Sequence, residues 1–133
     1  MPDRENAAVV LVAGDKQFIN NLRDALAATN FALLHAQTKH EAIVLLEGLK
    51  SNIDLAIVEL ELPDFGGWDL IRQLTHLPNK PAKLIATTST FPEPFFAKIK
   101  EIGVDAVVAT TMPSEAWLRT VEQMLTKSQG ATA

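Results

Sequence analysis

Short apolar runs alternate along the chain with stretches whose apolar residues recur at helical spacing. The first run, at residues 8–13, is apolar at every position, which is typical of a strand that helices cover on both faces. Similar runs rich in Val, Ile, Leu and Ala follow at intervals along the chain. This pattern predicts five strands, at residues 8–13, 31–36, 54–59, 83–87 and 106–109.

The stretches between these runs predict five helices. The first follows Asp15, since Phe18, Leu22 and later apolar residues fall on one helical stripe. The second begins with a capping box, in which Thr38 is followed three residues later by Glu41. Proline and glycine residues limit the other helices to about residues 68–74, 94–102 and 113–127.

Strands that alternate with helices form a parallel sheet, because right-handed crossovers place helices on both of its faces. Five such units suit a doubly wound, flavodoxin-like α/β fold with the strand order 2-1-3-4-5. The chain has 133 residues, the length of one domain. We expect that domain to span residues 8–127, between a flexible N-terminus at residues 1–7 and a flexible tail at residues 128–133.

Composition excludes several classes of protein. Hydrophobic residues make up 47% of the chain, which excludes a disordered protein, and a net charge of −4 provides no positive surface for nucleic acid. The absence of cysteine excludes disulfide scaffolds and zinc–thiolate sites. No apolar run approaches the ~20 residues that cross a bilayer, and residues 1–6 lack the basic start of a secretory signal. We therefore expect a cytoplasmic protein with no membrane and no nucleic-acid partner.

Polar residues follow the strands at the edge where parallel strands end. Asp15 follows the first strand, Glu59 ends the third, and Thr87 and Thr110 stand at the ends of the fourth and fifth. The first and third strands are neighbours in the predicted order, so the two carboxylates should lie together. Carboxylate and carbonyl oxygens are ligands for a hard cation such as Mg²⁺. The alternative is that these carboxylates are only solvated.

Four segments of the chain resemble, in order, the landmarks of the receiver domain of bacterial response regulators. They are residues 11–16, 59–67, 85–88 and 103–105, within a resemblance that runs from about residue 8 to residue 125. Receivers take a phosphoryl group from a histidine kinase onto an aspartate, using bound Mg²⁺, and relay the change to a partner-binding face. The resemblance therefore implies a signalling and protein-interaction module, and not an independent enzyme.

The resemblance also assigns roles to individual residues. The phosphoacceptor aspartate of the family falls on Glu59, and the lysine that ends the fifth strand falls on Thr110. The first acid of the family's acidic pair is Gly14 here, so the resemblance implies at most a weak Mg²⁺ site formed by Asp15, Glu59 and the backbone carbonyl of Glu61. The switch hydroxyl and the aromatic switch residue of the family correspond to Thr87 and Val107.

These substitutions predict an atypical receiver that acts independently of phosphorylation. Glutamate carries its carboxylate one methylene further out than aspartate, and a misplacement of ~1 Å can cost on the order of a hundredfold in rate. Loss of the lysine removes the cation that offsets phosphoryl charge. Glu59 then either resembles a phosphorylated aspartate or is drift at an abandoned site. The alternatives are a working phosphoacceptor receiver and a small flavodoxin-like ligand-binding domain or enzyme.

Two aromatic residues are candidates for partner contact. Phe96 lies at the margin of the apolar stripe of the fourth predicted helix, and Trp117 lies at the margin of the stripe of the fifth. Receivers generally bind partners, or each other, through the surface made by the fourth helix, fifth strand and fifth helix. We therefore expect Phe96 and Trp117 to contact a protein partner, which is a second copy, a histidine kinase or another protein. The alternative is that both residues lie at the edge of the core.

Overall fold

The computed structural model describes residues 7–48, 53–62, 66–76, 80–89 and 101–130. Within these residues the strands are β1 (Ala8–Val12), β2 (Ala32–Ala36), β3 (Leu55–Glu59), β4 (Lys83–Thr88) and β5 (Ala106–Ala109). They form one parallel sheet in the order β2-β1-β3-β4-β5. This order confirms the predicted doubly wound α/β fold.

Helices connect the strands and end the described part of the chain. They are α1 (Lys16–Leu26), α2 (Lys39–Gly48), α3 (Gly67–Thr75) and the C-terminal helix (Ser114–Gly130). Glu101 and Ile102 are also helical, and the rest of the helix predicted at residues 94–102 lies outside the described residues. No helix in the described part of the chain has the length and apolar character needed to cross a membrane.

The two ends of the domain differ slightly from the predicted boundaries. Ala7 is buried, and its carbonyl oxygen accepts a hydrogen bond from the N–H of Ala32 at 2.9 Å, so the folded domain begins one residue before the predicted boundary. The C-terminal helix continues to Gly130 and includes residues 128–130 of the predicted tail. The flexibility of the remaining terminal residues stays a prediction.

Local hydrogen bonds explain where α2 begins. The hydroxyl of Thr38 accepts a hydrogen bond from the backbone N–H of Glu41 at 3.1 Å. The carboxylate of Glu41 accepts one from the backbone N–H of Gln37 at 2.9 Å. These two bonds confirm the capping signal at the start of α2. In a standard capping box the carboxylate of Glu41 would accept the N–H of Thr38, whereas here it accepts the N–H of the preceding residue, Gln37.

Successive residues of β1 point to opposite faces of the sheet. Val9 and Leu11 pack in the core formed with α1 and the C-terminal helix, whereas Val10 and Val12 pack in the core formed with α2 and α3. Because helices cover both faces, the strand has no position at which a polar side chain would reach water. This arrangement explains the continuous apolar run in the sequence.

Trp117 is part of the core, which corrects its assignment to a partner-binding surface. Its side chain is 0% exposed and packs against Phe18 of α1, with ring centroids 5.1 Å apart. Trp117, Val121 and Leu125 are spaced four residues apart and are buried, whereas Leu118 is half-buried. Trp117 therefore lies on the buried face of the C-terminal helix and not at its margin.

Close packing and register bring the ends of the strands together. Glu59 is in register with Thr87 of β4, and Thr88 is in register with Ala109 of β5. A Cβ atom at Gly67 would lie only 2.5 Å from the carbonyl oxygen of Glu59, so α3 begins directly against the end of β3. Only glycine permits this close approach of backbone to backbone.

Candidate functional site

Asp15 lies at the carboxyl edge, which is the edge of the sheet at which all the described strands end, and it caps α1. Its Oδ1 accepts hydrogen bonds from the backbone N–H groups of Gln17 at 2.9 Å and Phe18 at 3.2 Å. A carboxylate is favourable there because the first N–H groups of a helix lack partners and carry partial positive charge. One oxygen of Asp15 is therefore committed to the helix.

The carboxylate of Glu59 turns towards the loop between β1 and α1. Its Oε1 accepts hydrogen bonds from the backbone N–H groups of Gly14 at 2.9 Å and Asp15 at 3.3 Å, and the residue is only 4% exposed. Burial raises the pKa of Glu59, the two N–H groups oppose this rise, and the charges of Asp15 and Glu61 add to it. Glu59 is thus a buried acceptor that ties β3 to the β1–α1 loop.

The β4 and β5 strands hold a pair of buried hydroxyl groups. Thr87 donates its hydroxyl proton to the backbone carbonyl of Val108 at 2.8 Å, and its Oγ1 lies 3.0 Å from the Oγ1 of Thr110. Because a hydroxyl has one proton, and Thr87 gives its proton to Val108, Thr110 donates to Thr87. Thr110, at the family's lysine position, therefore donates a hydrogen bond to Thr87, at the position of the switch hydroxyl.

Glu61 takes part through its side chain, whereas the sequence suggested a role for its backbone carbonyl alone. Its carboxylate accepts hydrogen bonds from the hydroxyl of Thr88 and from the backbone N–H of Ser89, the latter at 3.0 Å. The signal that could have found this contact is the pair of acids at positions 59 and 61, next to the hydroxyl-rich end of β4. These bonds connect the β3–α3 loop to the end of β4.

The carboxylates at this edge do not fit a strong Mg²⁺ site. Gly14 supplies no side-chain oxygen, and Asp15 and Glu59 each direct one oxygen to backbone N–H groups. Across the described ranges, no group of three or more His, Asp or Glu side chains is arranged to hold a metal ion. A hard cation prefers six or more oxygen ligands, of which protein carboxylates usually supply several. Weak Mg²⁺ binding by Asp15, Glu59 and the carbonyl of Glu61 therefore stays a prediction.

The structure brings the predicted site residues together in two groups. Asp15 and Glu59 meet at the β1–α1 loop, and Thr87 and Thr110 form the hydroxyl pair. Val107 is half-buried and packs against the core on the α2 and α3 side of the sheet. Phe96 lies outside the described residues, and Trp117 lies in the core.

The fold matches solved receiver domains. The signal receiver domain of a putative Luxo repressor protein from Vibrio parahaemolyticus matches with a TM-score of 0.83 and 17% identity, covering 96% of this chain and 95% of that chain. A two-component response regulator from Clostridium difficile matches with a TM-score of 0.80 and 20% identity, covering 91% of this chain and 97% of that chain. At these identities the likeness establishes the fold alone.

The sequence itself has a curated relative. The chain is 31% identical over 119 residues to the transcriptional regulatory protein ResD of Bacillus subtilis. The chain therefore has the fold of receiver domains and is similar in sequence to a transcriptional regulatory protein. The match covers 88% of this chain and 48% of ResD, so the chain spans about half the length of that relative. No family model matches the chain.

Proposed function

We propose that this chain is a receiver domain that acts in two-component signalling without being phosphorylated, through contact with another protein. The observation that carries the proposal is the direction of the Glu59 carboxylate. Its Oε1 is bonded inside the protein to the N–H groups of Gly14 and Asp15, and the side chain is buried. A phosphoacceptor must present an oxygen in line with the leaving group of the phosphoryl donor. The contacts of Glu59 direct Oε1 to the β1–α1 loop instead.

The β5 side of the site supports the same proposal. Thr110 occupies the family's lysine position, and its hydroxyl donates to Thr87. A neutral hydroxyl does not offset the charge of a phosphoryl group as an ammonium group does. The proton of Thr87 is already given to Val108, so the switch hydroxyl is engaged in the unmodified protein.

These contacts favour a structural role for Glu59 over imitation of a phosphorylated aspartate. A carboxylate that replaced a phosphoryl group in signalling would need to engage the switch hydroxyl of Thr87. Here the Thr87 hydroxyl donates to Val108, and Glu59 accepts from the opposite loop. We therefore infer that Glu59 stabilises the β1–α1 loop and does not imitate a phosphorylated aspartate.

The surface proposed for the partner is formed by β5 and the C-terminal helix. All four residues of β5 are half-buried, and Arg119 on the helix is exposed. Partly exposed apolar residues and arginine are both common at protein interfaces. A second receiver domain or a histidine kinase is the proposed partner. The contribution of Phe96 stays a prediction, because that residue lies outside the described ranges.

Intact-mass spectrometry after incubation with acetyl phosphate and Mg²⁺ tests the proposal. We expect no phosphoryl adduct, since the acceptor is buried and the lysine is absent. A receiver domain that keeps the aspartate and the lysine, treated in parallel, verifies that the conditions permit transfer. An adduct on the wild-type chain that disappears in Glu59→Gln would establish a working phosphoacceptor and overturn the proposal. Bound flavin, visible as colour in the purified protein, would instead support a ligand-binding flavodoxin-like domain.

A further inference from the structure

Glu61 forms a bridge between the β3–α3 loop and the end of β4. Its carboxylate accepts hydrogen bonds from the hydroxyl of Thr88, from the backbone N–H of Ser89 at 3.0 Å and from the hydroxyl of Ser89 at 3.3 Å. Thr88 is only 2% exposed, so its hydroxyl needs a partner within the protein. An ionised carboxylate is a strong acceptor for such donors. Three donors at the end of β4 therefore converge on one side chain that follows β3.

From Thr88 the hydrogen bonds continue to β5. The carbonyl oxygen of Thr88 accepts the backbone N–H of Thr110 at 2.9 Å. The hydroxyl of Thr110 donates to Thr87, whose own proton goes to the carbonyl of Val108. Contacts thus run without a gap from Glu61, through the end of β4, to the end of β5. None of these bonds involves Glu59, the residue at the phosphoacceptor position.

We propose that Glu61 is a positioning residue that holds the end of β4 against the β3–α3 loop and thereby sets the position of Thr110 at the end of β5. The inference rests on the proposed function only in that β5 belongs to the surface proposed for partner contact. In a domain that is not phosphorylated, a permanent bridge of this kind gives a partner one arrangement of β5 to recognise. The coupling of Glu61 to Thr110 can be measured without any partner.

Amide NMR spectra of the purified domain test the coupling. In Glu61→Ala we expect the amide signal of Thr110 to shift and the amide of Ser89 to exchange with solvent about tenfold faster, as when a hydrogen bond to a charged group is lost. Glu61→Gln keeps one acceptor oxygen, which can still accept the N–H of Ser89, and should restore most of the protection of that amide. Glu41→Ala is the matched control, because it removes another exposed carboxylate that accepts a backbone N–H, and it should leave both signals unchanged.

A double-mutant comparison decides whether the hydroxyl of Thr88 carries the coupling. In a Thr88→Val background, Glu61→Ala should shift the Thr110 amide much less than it does in the wild type. In a Thr88→Ser background, which keeps the hydroxyl, the full effect should remain. Additive shifts in the valine double variant, or an unchanged Thr110 signal in folded Glu61→Ala, would overturn the proposal. A phosphoryl adduct would refute the proposed function alone, because neither spectrum depends on phosphorylation.

Discussion

At the β1–β3 half of the carboxyl edge, carboxylates accept hydrogen bonds from backbone N–H groups, whereas at the β4–β5 half neutral hydroxyl groups bond to one another. Asp15 caps α1, and Glu59 accepts from the β1–α1 loop. On the other side, Thr110 donates to Thr87, which donates to Val108. The first half buries the carboxylate of Glu59, and the hydroxyl pair of the second half carries no charge.

This difference determines how each half responds to substitution. A buried charge makes stability depend on pH, because the pKa of the group differs between the folded and unfolded states. The stability that a hydroxyl pair contributes does not depend on pH. Loss of the pair costs only the free energy of the hydrogen bonds that its partners no longer make. Glu61 joins the two halves, since it follows β3 and binds the end of β4. Neither half keeps the aspartate and the lysine that the family uses for phosphoryl transfer.

The largest loss of stability is expected from a substitution in the apolar interior beneath both halves. Its size is the scale against which the other predicted losses are compared. Trp117→Ala should destabilise the domain by about 3–5 kcal/mol in urea unfolding, the usual cost of emptying a buried aromatic site. Trp117→Phe should cost less, because a ring remains against Phe18 and the lost indole N–H has no hydrogen-bond partner among the described residues. A cost below about 0.5 kcal/mol for Trp117→Ala would be that of a surface residue and would restore the partner-binding assignment.

The interior is also the part of the molecule that the sequence predicts best. The apolar runs predict each strand to within one residue at its ends, because a strand covered on both faces has a continuous apolar run. The helical pattern misplaces Trp117, because a residue at the margin of an apolar stripe faces the core or the solvent according to its tertiary neighbours. Here Phe18 on α1 is the neighbour that turns Trp117 inward. A sequence read one helix at a time does not contain that contact.

At the carboxyl edge the sequence predicts which residues meet but not which atoms bond. Glu59 and Glu61 are two residues apart, a spacing that places both side chains on one face of a continuous strand. Glu61 lies past the end of β3, where strand alternation no longer applies, and its carboxylate binds the end of β4. Glu59 turns to the β1–α1 loop instead. The direction of each carboxylate depends on backbone N–H groups that belong to other segments of the chain.

Glu59→Gln should reveal the buried charge of the β1–β3 half, because it changes how the stability of the domain depends on pH. Burial raises the pKa of Glu59 in the folded protein above its unfolded value of about 4.5. A raised folded pKa gives the wild type a contribution to stability that is fully present below about pH 4.5 and is lost as the pH rises through the folded pKa. Glutamine is neutral throughout, so Glu59→Gln should gain stability relative to the wild type as the pH rises.

Urea unfolding between about pH 4 and about pH 8 measures this difference. Glu59→Ala is the matched control, because it removes the charge and also the acceptor for the N–H groups of Gly14 and Asp15. We expect the alanine variant to be about 1–3 kcal/mol less stable than the glutamine variant, which is the cost of leaving buried donors unpaired. A difference between wild type and Glu59→Gln that does not change with pH would mean that the carboxylate is solvated in the folded protein.

The smallest losses of stability are expected in the β4–β5 half, where the two hydroxyl groups should differ in what their removal costs. Thr87→Val removes the donor to Val108 and the acceptor for Thr110, so it leaves two groups unpaired and should cost about 1–2 kcal/mol in urea unfolding. Thr110→Val removes only a donor to Thr87, whose bond to Val108 remains, and should cost about 0.5 kcal/mol. A larger cost for Thr110→Val than for Thr87→Val would reverse the direction of donation inferred for the pair.

The double variant Thr87→Val/Thr110→Val completes this test of the hydroxyl pair. It should cost no more than Thr87→Val alone, because the hydroxyl of Thr110 has no partner left to lose once Thr87 is valine. Neither threonine titrates, so these costs should stay constant over the pH range in which the wild type and Glu59→Gln diverge. If the costs of the threonine variants instead changed with pH as the stability difference at Glu59 does, the charge of Glu59 would interact with the hydroxyl pair. The two halves would then be electrostatically coupled.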